Sequence, residues 1–239
     1  MSQPPYPLHE SVRDLLHPEY VAFYNSHIKD LQQVHYQPVG ASRASGVLIP
    51  GAGPLIPVGE TRDVAIKRKE SDGPDVQVRC FWPDAAENEP ENDAGWPVML
   101  YFHGGGWVLG NLDTENAVCT NVCSRARCVV VTVGYRLGPE IPFPAAVHDA
   151  WEALLWLQSG DRSLLNIDTS RIAVAGSSAG GNLAAIIAHR SIARSMPALK
   201  LQILVVPVMD NTADTTNNAT YRDYEHGPAL PAARADHAR

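Results

Sequence analysis

The sequence predicts an α/β protein built on a doubly wound, mostly parallel sheet with helices on both faces. Short continuous apolar runs at residues 98–102, 128–133, 172–174 and 201–206 are typical of parallel strands buried on both faces. Helix-period sequence separates the runs, and right-handed crossovers between parallel strands place the helices on the two sides of the sheet. The chain has 239 residues, of which 45% are hydrophobic and 19% charged, so it is long enough to bury such a core.

The region before these runs is predicted to be organised differently. Apolar residues between positions 8 and 36 follow the i, i+3, i+4 spacing of an amphipathic helix pair. Residues 49–59 are rich in glycine and proline and indicate a linker. Residues 61–69 and 76–82 then form a predicted antiparallel hairpin. We therefore assign residues 1–45 to an N-terminal helical region and residues 46–239 to an α/β domain.

The clearest helix of the α/β domain is predicted over residues 145–158. Val147, Trp151 and Leu154 share one line along this helix and are expected to face the core. Asp149 and Glu152 fall outside that line, and the pattern predicts that both are exposed to solvent.

Composition and charge exclude several classes of protein. There are 19 Lys and Arg against 26 Asp and Glu, and the net charge of −7 argues against a nucleic-acid partner. No apolar run is long enough for a membrane span, and the first residues lack the basic and apolar segments of a secretory signal, so a cytoplasmic location is expected.

The cysteines are expected to be reduced residues of the core. The four cysteines are too few for a disulfide framework in a chain of this length. Cys119 and Cys123 share one predicted helix face, but no pair of histidines supplies the remaining zinc ligands at a recognisable spacing. The sequence thus predicts no metal and no cofactor.

The motif GSSAG at residues 176–180 follows the predicted strand 171–175 and precedes a predicted helix. This is the G-x-S-x-G pattern in the strand-turn-helix context that its chemistry requires. Small neighbours let the backbone turn sharply, which holds Ser178 in a strained conformation and exposes its hydroxyl above the sheet. The helix N-terminus that follows favours an oxyanion beside the serine. A glycine-rich turn without chemistry is the alternative.

A second motif, HGGGW at residues 103–107, follows the predicted strand 98–102 at the sheet edge where open α/β proteins bind ligands. Three consecutive glycines let backbone N–H groups approach a reacting carbonyl, and with the N–H of Ala179 they are expected to form an oxyanion hole. A phosphate-binding loop is excluded, because neither the Lys-Ser or Lys-Thr ending nor the G-x-G-x-x-G spacing is present.

Together with YRLGPE at 135–140 and FPAA at 143–146, these motifs resemble the hormone-sensitive-lipase-like carboxylesterases and lipases of the α/β-hydrolase fold. The resemblance is close over residues 97–206. It implies that Ser178 is the nucleophile and that the N–H groups of Gly104, Gly105 and Ala179 are the oxyanion donors. It also implies that His103 orients the loop, that residues 8–36 form a cap over the acyl pocket, and that a small-molecule ester is the substrate.

The sequence departs from the family in two places. Ser177 stands where the family usually has an acidic residue. The family's Asp-Pro and His-Gly-Phe-like motifs, which carry the catalytic acid and histidine, do not occur after Ser178, and the last strands of the fold are expected to be missing. Asp210 with His226 or His237 are the candidates to replace them, although Asp210 has the pattern of a turn residue and His226 that of a surface loop.

Three functions are compatible with these observations. The first is a serine carboxylesterase that forms an acyl-enzyme on Ser178 and is impaired because its acid and base are missing. The second is a non-catalytic small-molecule binding protein on the same fold, as in the plant gibberellin receptors, which resemble this family. The third is an amidase or arylacetamide-type deacylase, which would use the same oxyanion hole.

Overall fold

The computed structural model describes residues 4–44, 53–85, 89–90, 93–159, 162–228 and 230–232. The chain divides into two compact units, one drawn from Met1–Val47 and Asp210–Arg239 and the other from Leu48–Met209. The domain assignment made from the sequence, 1–45 and 46–239, stays a prediction.

The first unit contains short helices. These are α1 (Glu10–Arg13), α2 (Pro18–His27), a 3-10 turn (Val34–Tyr36) and α3 (Val39–Ala44), and a further short helix covers Ala219–Asp223. They are shorter than the predicted amphipathic pair, and the apolar line expected on them is only partly buried. Tyr24 is 4% exposed and its hydroxyl donates to the carbonyl of Tyr6, whereas Phe23 and Leu31 are more than half exposed. The apolar side chains of these short helices are therefore buried only where the helix makes a packing contact.

The second unit is built on one sheet, whose strands follow in chain order. They are β1 (Glu60–Ile66), β2 (Val76–Trp82), β3 (Trp96–Phe102), β4 (Val129–Gly134), β5 (Ile167–Ser177) and β6 (Leu201–Val205). Their spatial order is β1-β2-β4-β3-β5-β6. Strands β4, β3, β5 and β6 are parallel, and β2 is antiparallel to both β1 and β4. The predicted α/β class and mostly parallel sheet are confirmed.

Helices cover both faces of this sheet, as predicted. They are α4 (Asn116–Ala126), α5 (Ala145–Gln158), α6 (Arg162–Leu165) and α7 (Ala179–Ala193). Tyr101 packs with Cys119 and Cys123 of α4, whereas its neighbour Phe102 packs in the core that contains α5 and α7. None of the helices described by the structure has the length and apolar character needed to cross a bilayer.

The sheet register brings two loops to one edge. Phe102, the last residue of β3, pairs with Gly176 near the end of β5. Because parallel strands end at the same edge of a sheet, the glycine motif after β3 and Ser178 after β5 leave the sheet side by side. At the outer side, β6 has β5 as its neighbour, and Leu201, Ile203 and Val205 of β6 are exposed.

The prediction that Asp149 and Glu152 of α5 are exposed is wrong, since they are 1% and 0% exposed. The connection between β1 and β2 lies against this side of α5 and supplies partners that the helix pattern does not reveal. Asp149 accepts from the Arg68 guanidinium at 2.5 Å and from the backbone N–H of Arg136 at 2.8 Å. A polar side chain on a helix is thus buried when a distant segment brings the groups that satisfy it.

The Glu152 side chain binds the backbone of that connection, and this predicts that stability depends on pH. Its carboxylate accepts from the N–H groups of Lys69, Glu70 and Ser71 and from the Ser71 hydroxyl. Burial opposes the charge, but these hydrogen bonds outweigh it and lower the pKa of Glu152. A carboxyl group with a lower pKa in the folded state stabilises the protein at pH values above its unfolded-state pKa. This stabilisation is lost as the pH falls through the folded-state pKa.

We therefore expect Glu152→Gln to be less stable than the native chain near neutral pH and to lose less stability on acidification. The measurement is urea unfolding at a series of pH values from about 7 down to about 3. Glu19→Gln, at a side chain that is 91% exposed, is the control and is expected to keep the native pH dependence. Parallel curves for Glu152→Gln and the native chain would contradict the prediction.

Candidate active site

Ser178 lies on the turn between β5 and α7, as the sequence predicts. Its backbone angles, φ 51° and ψ −116°, are rarely adopted by a residue with a side chain. Its N–H donates to the carbonyl of Val205 at 2.9 Å, and its carbonyl accepts from the N–H groups of Asn182 at 3.1 Å and Val208 at 3.2 Å. The strained turn is thus held by its own helix, by the last residue of β6 and by the segment that follows β6.

Gly180 lets the first turn of α7 press against the end of β3. A Cβ atom at this position would overlap the carbonyl oxygens of Phe102 and His103. We therefore expect Gly180→Ala to lower the free energy of unfolding by about 1–3 kcal/mol, because the backbone on one side must move. Gly40→Ala is the matched control, since in the described part of the chain no atom outside its own helix backbone and chain neighbours lies within 4 Å of a Cβ there, and the residue is in helix α3. Urea unfolding of both variants checks this, and equal effects would contradict it.

The HGGGW motif at residues 103–107, which forms the glycine loop, presents free N–H groups beside this turn. Gly105 has φ +120°, a conformation that favours glycine, and its carbonyl accepts from the N–H groups of Val108 and Leu109. In the described part of the chain, the N–H groups of Gly104 and Gly105 have no protein acceptor. Ala179 is the first residue of α7, where an N–H has no acceptor within the helix. The three groups predicted as oxyanion donors are therefore available to a ligand.

His103 anchors the loop from below. It is completely buried, its Nδ1 lies 2.7 Å from the carbonyl of Gly104, and its ring stacks on Tyr135 with centroids 4.3 Å apart. The Tyr135 hydroxyl donates to the carbonyl of His103 at 2.8 Å. Burial lowers the pKa of His103 to about 4, so the ring is neutral near neutral pH. This geometry fits the structural role that the family resemblance implies.

The segment 135–140 contributes a second contact to the glycine loop. The N–H of Gly138 donates to the carbonyl of Trp107 at 2.9 Å. The sequence marks this segment only through the family motif, and the contacts that it makes could not be derived from spacing.

The candidates for the catalytic acid and base make local contacts in the first unit. Asp210 is exposed and accepts from the N–H and the hydroxyl of Thr212 at 2.8 and 2.6 Å, which makes it the turn residue that its sequence indicates. His226 is exposed and its ring stacks on His9, with centroids 3.8 Å apart. His237 lies outside the described residues.

The cysteines are buried thiols, as predicted. Burial raises the pKa of Cys123 to about 12 and that of Cys128 to about 11, so neither is a reactive thiolate near neutral pH. The residues described by the structure contain no group of three or more His, Cys, Asp or Glu side chains arranged to hold a metal ion.

Sequence reasoning assigns no role to Glu115, which the structure buries directly beneath the two motifs. Its carboxylate accepts hydrogen bonds from Tyr101 and from Ser177. One signal could have indicated such a partner: Tyr101 stands in a buried apolar strand, where its hydroxyl requires an acceptor.

Comparison with known proteins agrees with this geometry. The family described as alpha/beta hydrolase fold matches residues 99–239. The chain belongs to the alpha/beta hydrolase fold family. The chain is 47% identical to an AB hydrolase superfamily protein of Schizosaccharomyces pombe over 234 residues, which are 95% of this chain and 67% of that protein. The resemblance drawn from the motifs is confirmed.

Two further relatives have an ester-hydrolase name. Esterase LipI of Mycobacterium tuberculosis is 44% identical to this chain over 138 residues, covering 57% of this chain and 42% of LipI. The solved structure of ester-hydrolase EH1AB1 from the metagenome of Lake Arreo, Spain, is 26% identical with a TM-score of 0.76, covering 97% of this chain and 69% of that one. The chain therefore spans about two thirds of the length of some relatives and less than half of others.

Proposed function

We propose that the chain acts as a serine carboxylic-ester hydrolase on small-molecule esters, through an acyl-enzyme formed on Ser178. The observation that carries the proposal is the strained turn of Ser178 beside a glycine loop whose N–H groups have no protein acceptor. The esterase names of the relatives support the same reaction class.

The proposed reaction follows from the groups at this sheet edge. The Ser178 Oγ attacks the ester carbonyl carbon, its proton passes to a base, and the carbonyl oxygen becomes an oxyanion. The N–H groups of Gly104, Gly105 and Ala179 donate to that oxyanion, and the N-terminus of α7 adds favourable charge. The ester C–O bond then breaks, the alcohol leaves with a proton, and water hydrolyses the acyl-enzyme to a carboxylic acid and free Ser178.

Turnover depends on a base that removes the Ser178 proton. Asp210 with His226 or His237 are the candidates that the sequence offers, and the family's usual acid and histidine motifs are absent from it. We therefore propose that acylation by this chain is slow compared with an esterase that has a complete triad. Esters with small or medium acyl groups are the proposed substrates. The cytoplasmic location stays a prediction.

The test combines turnover with covalent labelling of the purified chain. Hydrolysis of p-nitrophenyl acetate and butyrate is measured, and a fluorophosphonate probe is located by mass spectrometry. We expect the label on Ser178 and slow hydrolysis that is lost in Ser178→Ala. A folded chain that neither hydrolyses the esters nor takes the label would contradict the proposal and favour the non-catalytic binding protein.

A further inference from the structure

A buried carboxylate lies between the ends of β3 and β5. Glu115 directly precedes α4, has left-handed backbone angles of φ 63° and ψ 21°, and is 5% exposed. Asp, Asn, Ser or Thr at this position usually accepts a hydrogen bond from the first turn of the helix, whereas the Glu115 side chain makes no such bond. Its carboxylate is used elsewhere.

The Glu115 carboxylate joins the two strands that lead into the proposed site. One oxygen accepts from the Ser177 hydroxyl at 2.5 Å, and the other accepts from the Tyr101 hydroxyl at 2.7 Å. Ser177 is the last residue of β5 and immediately precedes Ser178. Tyr101 lies near the end of β3, just before the glycine motif. One side chain thus ties the base of the nucleophile turn to the base of the glycine loop.

The glycine loop also packs directly on this hydrogen-bonded pair. A Cβ atom at Gly104 would lie 2.7 Å from the Ser177 Oγ and 3.4 Å from a Glu115 carboxylate oxygen. Gly104 therefore lies against both groups, and its N–H is one of the predicted oxyanion donors. Movement of Glu115 or Ser177 would be transmitted to that N–H.

This arrangement is unfavourable for stability alone. The side-chain partners of Glu115 in the described part of the chain are two neutral hydroxyls, and a buried carboxylate without a cation is less stable than apolar packing of the same volume. Burial and the Glu115 charge raise the pKa of Tyr101, so the phenol remains a protonated donor. The carboxylate is satisfied by two neutral hydroxyls that fix its orientation, which is what a positioning role needs.

We propose that Glu115 is a positioning residue that fixes the Ser178 turn against the glycine loop. The purpose of this role rests on the proposed function, whereas the geometry does not depend on turnover. Without the carboxylate, the turn and the loop move separately, and the N–H groups of Gly104 and Ala179 are no longer held toward one oxyanion.

Residue-resolved amide hydrogen exchange of the full chain tests this without requiring activity. The Ser178 N–H, bound to Val205, and the Leu109 N–H, bound to Gly105, report on the turn and the loop. We expect Glu115→Ala to accelerate exchange of both amides by about tenfold, because their local opening becomes easier. Glu115→Gln, which keeps the shape and an acceptor oxygen, is expected to have a smaller effect.

Glu152→Ala is the matched control, because Glu152 is an equally buried carboxylate that holds a different loop through the Ser71 N–H. It is expected to accelerate exchange at Ser71 and to leave Ser178 and Leu109 unchanged, whereas Glu115→Ala gives the reverse pattern. Equal acceleration of all three amides by Glu115→Ala, or of none, would overturn the proposal. Should Glu115→Ala fail to fold, Ser177→Ala removes one of the two hydrogen bonds and is expected to give the same pattern.

Labelling kinetics separate positioning from substrate access. With the fluorophosphonate probe, Glu115→Ala is expected to lower the maximal rate of Ser178 labelling by about tenfold and to leave the half-saturating probe concentration unchanged. Glu152→Ala is expected to leave both unchanged, and a Glu115→Ala effect confined to the half-saturating concentration would contradict the role. If the native chain takes no label, the proposed function fails, and the exchange pattern alone decides the role of Glu115.

Discussion

Replacement of Ser178 by alanine is expected to lower p-nitrophenyl ester hydrolysis by about tenfold or more and to abolish fluorophosphonate labelling. The reason is that the hydroxyl supplies the bond-forming atom of the acyl-enzyme, and the neighbouring Ser177 hydroxyl is bound to Glu115. The oxyanion donors remain in the variant, so a small residual rate above that of water is compatible with the proposal.

The measurement compares initial rates of the native chain and the variant at equal protein concentration, with unfolding curves to show that both are folded. Ser191→Ala is the matched control, because Ser191 is a buried serine on the same helix, 2% exposed, and remote in sequence from the turn. It is expected to keep the native rate. Equal rates for Ser178→Ala and the native chain would show that hydrolysis occurs at another group.

Replacement of Asp149 by alanine is expected to lower the free energy of unfolding by about 3–5 kcal/mol. The Asp149 carboxylate is 2% exposed and pairs with Arg68 at 2.5 Å and with Arg136 at 2.8 Å. Its removal leaves two largely buried guanidinium groups without a counter-charge, and the backbone N–H of Arg136 also loses its acceptor. The variant is expected to unfold at a much lower urea concentration than the native chain.

Asp75→Ala is the control for this loss, because it also removes a carboxylate from an ion pair. The Lys67 Nζ lies 2.6 Å from an Asp75 carboxylate oxygen, and the Lys67 side chain is 85% exposed. An exposed pair of this kind contributes about 0–1 kcal/mol to the free energy of unfolding. Urea unfolding at one pH and salt concentration compares the two variants. Similar losses in both would mean that the buried pair around Asp149 does not stabilise the fold.

In the N-terminal region, a regular apolar spacing predicts longer helices than the structure contains. Spacing over residues 8–36 predicts a long amphipathic pair, but α2 spans only Pro18–His27, and its N-cap is the His17 side chain, which accepts from the N–H of Glu19. A short helix gains most of its stability from packing, so the partners available to each turn decide how far the helix extends.

The sequence alone determined the α/β class, the strands of the parallel sheet and the position of Ser178 between a strand and a helix. It could do so because these features have local causes: a strand buried on both faces is a continuous apolar run, and a sharp strand-to-helix turn requires small residues. Residues 145–158 were likewise predicted as a helix with its observed limits.

Only the tertiary structure decided which acidic side chains are buried and which groups they bind. Glu115 meets Ser177 across 62 positions of sequence, and Glu152 meets the Lys69 N–H across 83. A carboxylate is stable in the interior only where other segments bring donors to it, and neither periodicity nor composition records which segments these are. The nucleophile is therefore visible in the sequence, while the carboxylate beneath it is visible only in the fold.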